Sequence, residues 1–154
     1  MTTTSRVPAV IDGLVDFFEA ATGLAAVKIV DGPIVTNAPL KEAIYVGYDG
    51  DPDGEGQAAD VTQEWASIGQ RARDETILIT CAVVVWRGDT KVRPVRLRTY
   101  ELLAEVENAL RADPSLGLPP PTVAAWASGQ LYQSQRQSGM ECRIPFQIQV
   151  KTRI

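Results

Sequence analysis

Three groups of side chains have the types and spacing that chemistry requires. The first is Asp49-Gly50-Asp51-Pro52-Asp53-Gly54, followed by Asp60. Carboxylates at alternate positions with a glycine in sixth place reproduce the first half of an EF-hand loop, which wraps a hard cation. The match then fails. The segment before the loop reads as a strand instead of a helix. Gly56 occupies the usual apolar position, and Asp60, one methylene short, replaces the bidentate Glu. The expectation is a solvated acidic loop whose glycines supply turns, with no metal and no other cofactor.

The second group is basic: Arg71 and Arg73, then Arg87, Lys91, Arg93, Arg96 and Arg98. The last five surround an expected helix start, where cations oppose the helix dipole at a cost of a few tenths up to ~1 kcal/mol each. Such a cost is often tied to a partner. It is equally compatible with a solvated face offset by Asp89 and Glu101. The third group is a polar hairpin around residues 132–137. There Tyr132, Gln133 and Gln135 carry long donors and acceptors that suit a contact surface better than a catalytic pocket, or simply a soluble hairpin tip. Together, Asp49, Asp51, Asp53, the five cations from Arg87 to Arg98 and Tyr132, Gln133 and Gln135 form the candidate interface.

Enzymatic readings find little support. The chain has no histidine, which removes Ser-His-Asp and Cys-His triads and the commonest metal ligand. It has neither a Walker loop nor a GxGxxG turn. Glu64, Asp74, Glu75 and Glu141 all fall in the β region and could form a glycosidase-type pair. Acidic residues on the solvent faces of strands are ordinary, however, and the expectation is a protein without catalytic residues.

The elements that must position these groups follow from periodicity. Val7, Ile11, Leu14 and Phe18 have amphipathic helical spacing, with Ser5 as N-cap, Pro8 in the first turn and Thr22-Gly23 as the stop. Strands are expected at Ala25–Val30, Glu42–Tyr48, Val61–Gln70 and Glu75–Arg87, the last apolar on both faces in its second half. Turn signals lie at Asp31-Gly32-Pro33 and Gly88-Asp89-Thr90. A second helix is expected from Val92 to Ala112, with Val95, Thr99, Leu102, Val106 and Leu110 on its buried face and Asp113-Pro114 as its stop. Leu116–Pro121 reads as a stiff extended connector. A strand Val123–Gln135 then turns at Ser138-Gly139 into Cys142–Ile154, where Cys142, Ile144, Phe146, Ile148 and Val150 alternate with polar residues.

The expected order, α-β-β-β-β-α-β-β, predicts a single domain over residues 1–154 with a polar arm at 1–6. The fold is an α/β sandwich whose mixed, mostly antiparallel sheet carries two helices on one face. With 154 residues, 45% hydrophobic and 22% charged, the composition is that of a globular domain. The net charge of −4 argues against a surface that coats nucleic acid. Cys81 and Cys142 fall on apolar strand faces as small hydrophobes, and the absence of CxxC and of secretory context points to a reducing compartment, although a disulfide stays open. The N-terminus lacks the pattern of a signal peptide, and no apolar run approaches the ~20 residues that span a bilayer. A soluble protein made in a bacterial-type cytoplasm, without membrane contact, is expected.

Several blocks in order carry a family resemblance: VPAVIDGLVDFFEAA leading into AAVKIVDGPIV, VTQEWASIGQRARDETILITCAVVVWRGDT, YELLAEVENALRADPSLG, and a polar strand closing on ECRIPFQIQVKTRI. This order, with its strand–DGP, EW…G…RDE and LRADPSLG blocks, resembles small neck proteins of long-tailed bacteriophages of actinobacteria, and among them the tail terminator (tail-completion) proteins. It covers roughly Val7 to Ile154. The resemblance implies an α/β sandwich and no catalytic residues. It also implies a structural virion protein at the top of the tail, forming a ring, typically hexameric, that ends tube polymerisation and meets the head-completion or connector protein. DNA would pass through the lumen without specific binding. A net acidic lining suits such a conduit. Competing readings are a neighbouring neck protein (a head–tail connector or tube-like subunit), a calcium-binding module and a cryptic carboxylate enzyme.

Overall fold

The computed structural model describes residues 3–34, 40–88, 91–136 and 138–154, with the side chain of Arg136 excepted. The expected turn residues Asp89 and Thr90, and Gln137 of the polar hairpin, therefore lie outside the described residues. Two long antiparallel strands, β4 (Arg73–Arg87) and β7 (Gly139–Arg153), form the axis of the fold. They are in register from Asp74 opposite Arg153 to Arg87 opposite Met140. One face of this ladder is apolar: Ile77, Ile79, Cys81, Val83 and Val85 stand opposite Val150, Ile148, Phe146, Ile144 and Cys142. The other face pairs Asp74 with Arg153, Thr76 with Lys151 and Thr80 with Gln147. The alternation expected of the last strand thus sets its inner face, and burying each large side chain there contributes about 1.5–3 kcal/mol.

Each long strand carries two short strands in tandem along its outer edge. On β4 these are β2 (Glu42–Val46) and β3 (Ala59–Trp65), both antiparallel to it, with β1 (Lys28–Asp31) parallel to β2. On β7 they are β5 (Val123–Gly129) and β6 (Tyr132–Arg136). The sheet is mixed and mostly antiparallel, with seven strands among the described residues. Helix α1 (Val7–Ala20) packs on β1 and β2, and α2 (Val92–Ala112) packs on β4, β7 and β5. The helix-facing side chains join one apolar core. This is the α/β sandwich expected from periodicity, and the bounds and buried face of α2 are those the spacing predicts.

The departures from expectation have physical causes. Val123–Gln135 is two strands, not one. Pro145 of β7 points its carbonyl at this flank, where it accepts the Gln130 N–H at 3.1 Å. Its missing N–H therefore falls on the same side and interrupts the ladder there. The 116–121 connector is not an extended rod. Leu116 and Gly117 have positive φ (56° and 70°), and the Leu118 N–H returns to the Ser115 carbonyl at 2.9 Å. Burial of Leu116, which is 5% exposed, holds this turn against the end of α2. The first strand begins at Lys28 because a 3₁₀ turn, Thr22–Leu24, precedes it, and the third ends at Trp65, leaving 66–72 as a hairpin loop. The second strand ends at Val46, because the Gly47 and Tyr48 N–H groups both converge on the Thr80 carbonyl. The cap of α1 is Arg6, not Ser5, although the Ser5 Oγ accepts the Val7 N–H at 3.1 Å.

Candidate functional site

The basic cluster gathers at the start of α2. Glu42, the first residue of β2, accepts Arg98 Nε at 2.7 Å, Arg98 Nη2 at 3.0 Å and Arg87 Nη2 at 2.8 Å. Its side chain is only 14% exposed. The Arg98 hydrogen bonds, seconded by Arg87, hold its carboxyl below the ordinary 4.5 in spite of the opposing effect of burial. Arg98 also reaches Glu101 at 3.4 Å. Two of the five cations are thus neutralised within the chain. Arg98 ties the helix start to β2, and the dipole cost is offset at that point.

The remaining cations sit differently. Arg93 is exposed, and Lys91 occupies the N-cap position of α2. Arg96 Nη1 donates to Gln133 Oε1 of β6 at 2.9 Å. The basic group and the polar hairpin, expected separately, are therefore one surface.

The acidic loop lies on the opposite face of the sheet. Asp49 Oδ1 accepts the Asp51 N–H at 2.9 Å, and Asp51 Oδ1 accepts the Asp53 N–H at 3.0 Å. These carboxylates stabilise the loop's own turns. Gly50, at φ 77°, sits so close to the sheet that a Cβ there would lie 3.0 Å from Arg143 Cδ and 3.4 Å from the side chains of Ala82 and Val84. Asp60 stands apart, exposed on β3 opposite Leu78. Among the described residues no group of three or more acidic or cysteine side chains is placed to hold a metal ion.

Arg143, which belongs to none of the three candidate groups, joins the acidic loop to the hairpin. From β7 it donates to the Asp49 carbonyl at 2.7 Å, and its guanidinium lies 4.6 Å from the Tyr132 ring centroid, in cation–π range. The strand β6 is thus the meeting place of all three candidate groups: Tyr132 faces the acidic loop through Arg143, and Gln133 faces α2 through Arg96. The only sequence signal was the outward position of Arg143 in the alternation, which it shares with Gln147, Gln149 and Lys151.

Glu75 was expected on a solvent face and is instead 1% exposed, on the helix side of β4. Its carboxylate accepts the Arg6 N–H at 2.8 Å and Gln63 Nε2 at 2.5 Å. It therefore gives the N–H of Arg6, the N-cap residue of α1, an acceptor from the sheet. Cys81 and Cys142 are buried free thiols. Burial pushes Cys81 up to about 12 and raises Cys142 as well, so neither is a ready nucleophile at neutral pH. The arrangement can bind and orient a protein surface through arginine, carboxylate, amide and tyrosine groups. Neither a scan against protein-family models nor a search of curated proteins finds a match for this chain.

Proposed function

We propose that the chain is a structural subunit of the neck of a long-tailed phage, a tail terminator. Its copies close into a ring on the head-proximal end of the tail tube, stop tube growth and join tail to head, with DNA passing through the lumen. One observation carries the reading: the blocks that resemble this family follow one another along the elements of the α/β sandwich that the resemblance implies. The DGP block closes β1. The EW…G…RDE block forms the β3–β4 hairpin, with Gly69 at φ 83° and Glu75 buried. The LRADPSLG block ends α2 on the Leu116-Gly117 turn. Each block contributes a turn or an anchor, so its residues have fold-determining reasons to stand in that order.

A head-to-tail ring needs two different complementary surfaces on each subunit. The exposed part of the basic start of α2 and the acidic loop lie on opposite faces of the sheet, and charges so placed guide orientation and association rate more than affinity. Arg98 is an unsuitable probe, because a glutamate there would face Glu42. Reversing Arg93 and Arg96 to Glu spares that cluster. The test is negative-stain imaging and light scattering of wild type and this variant with purified tail tubes, at low and high salt. Wild type should cap tubes with single rings, and the double reversal should cap fewer, most clearly at low salt. Open filaments, or tubes left bare by wild type, would refute the reading. Equal capping by the variant would remove only the charge pairing.

A further inference from the structure

Ala43, Ala82 and Val84 are buried, yet none of them belongs to the core beneath the helices. They stand on the far face of the sheet, where Ala43 pairs with Val84, Val84 with Arg143 and Arg143 with Tyr132. The acidic loop covers part of this row. A Cβ on Gly50 would lie 3.4 Å from the side chains of Ala82 and Val84, so the loop backbone rests directly on them. The loop leaves and rejoins the sheet at one residue. The Thr80 carbonyl accepts the Gly47 and Tyr48 N–H groups at 2.7 and 3.1 Å, and the Thr80 N–H donates to the Ala58 carbonyl at 2.9 Å. Ends brought together in this way are those of an Ω-loop. Between them the hydrogen bonds are internal: the Asp49 and Asp51 carboxylates hold the Asp51 and Asp53 N–H groups, and the Asp51 carbonyl accepts the Gly54 N–H. Among the described residues one hydrogen bond ties the span 49–57 to the sheet, from Arg143 to the Asp49 carbonyl at 2.7 Å.

We infer that residues 48–57 form a flap, latched by Arg143, that opens as a unit while the rest of the domain stays folded. Gly47 and Gly56, at φ 75° and 74°, flank it in the left-handed region that glycine enters without strain. Opening breaks one charge-assisted hydrogen bond and uncovers the small side chains of Ala82 and Val84. Separating β4 from β7 would instead expose the whole helix-side core. The flap is therefore the low-cost motion of the far face. The latch is itself held in place: Arg143 stands on the β4–β7 ladder, and its guanidinium lies over the Tyr132 ring while it binds the loop. Closed, the far face presents the carboxylates of the loop. Open, it presents Ala82 and Val84 beside Tyr45 and Pro145, their partners across β2 and β7. The device exchanges a charged surface for an apolar one within a single chain, and it stands whether or not copies close into the ring proposed above.

The test uses the full chain carrying Val84→Cys, a smaller side chain that fits under the closed loop. Native Cys81 and Cys142 are buried free thiols of the helix-side core and report global unfolding. Iodoacetamide labelling is followed at each cysteine by mass spectrometry. The introduced thiol should react faster than the native pair. Its rate should be nearly flat across low urea, where the rate of the native pair climbs steeply, because a local opening exposes little surface. Adding Arg143→Met, which keeps an aliphatic stem but removes the latch, should speed the introduced thiol by about ten-fold or more. Gly50→Ala leaves Arg143 in place but sets a Cβ 3.0 Å from its Cδ at a positive φ, and should speed the introduced thiol too. Glu75→Ala, remote from the flap, should speed the native pair alone. An introduced thiol that follows the native pair in urea and in Glu75→Ala would refute an independent flap. No response to Arg143→Met would refute the latch. A response to Arg143→Met without one to Gly50→Ala would show that the arginine merely shields the site, and would overturn the flap.

Discussion

Glu75 and Glu42 each tie the start of a helix to the sheet, but the donors around them differ. Glu75, on the inner face of β4, receives a backbone N–H from Arg6 and the amide of Gln63. Glu42, at the rim of β2, receives two guanidinium groups. The α1 anchor is nearly dry and made of neutral donors, so dissolved ions have little purchase on it. The α2 anchor is partly wet and fully charged, since the side chains of Arg87 and Arg98 are 39% and 37% exposed. The same residue type therefore gives a tie that salt screens little at one end of the domain and one that salt weakens at the other.

Both anchors depend on the β4–β7 ladder, so the comparison disappears altogether if β7 is cut. Deleting residues from Ile144 onward removes Ile144, Phe146, Ile148 and Val150 from the core. The loss is comparable to the whole net stability of a domain of about 5–15 kcal/mol. The truncated chain should be insoluble or unfolded by circular dichroism. A soluble product with an unchanged melting curve would place the core elsewhere.

The next largest effect is at Glu75. Glu75→Ala leaves the Arg6 N–H and the Gln63 amide without their acceptor and should cost about 2–3 kcal/mol in urea unfolding, nearly independent of salt. A loss that shrinks markedly in 1 M salt would mean that this anchor is electrostatic like the other one. Glu42→Ala should cost less, about 1–2 kcal/mol, because both arginines can turn to water, and salt should reduce the difference.

Glu42 also sets a pH signature. Its folded value lies below the ordinary 4.5, so its contribution is fully present above the unfolded value. That contribution is lost as pH falls through the folded one. Wild type should therefore lose stability below about pH 4.5 more steeply than Glu42→Gln. Parallel pH–stability curves for the two proteins would contradict the assignment. The smallest effect on stability belongs to the cations outside the anchor. Arg93→Glu with Arg96→Glu should change unfolding free energy by only about 0.5 kcal/mol. A cost of several times that would show that the α2 start is held by more than Glu42.

How much of this was legible varied with the range of the interaction. The bounds of α2, its buried face and the inner face of β7 follow from local spacing, because a 3.6- or 2-residue period fixes which side of an element is apolar. The split of β5 from β6 was not legible in its own residues. Its cause is Pro145 in the neighbouring strand, and only the register shows that the missing N–H points there. The burial of Glu75 was misread because a carboxylate is usually solvated. It becomes tolerable only when Arg6 and Gln63 come to it from sequence separations of 69 and 12.

The candidate site divides the same way. Composition and spacing alone determined that the chain carries clustered cations, an acidic glycine loop and a polar hairpin, since these are properties of contiguous residues. Tertiary structure decided that Arg98 is engaged by Glu42 from 56 residues away. It also decided that Arg96 meets Gln133 across 37 residues, and that Arg143 bridges the acidic loop and Tyr132. The physical reason is that a period reports the side on which a residue lies, whereas the partner it meets there depends on strand order and register.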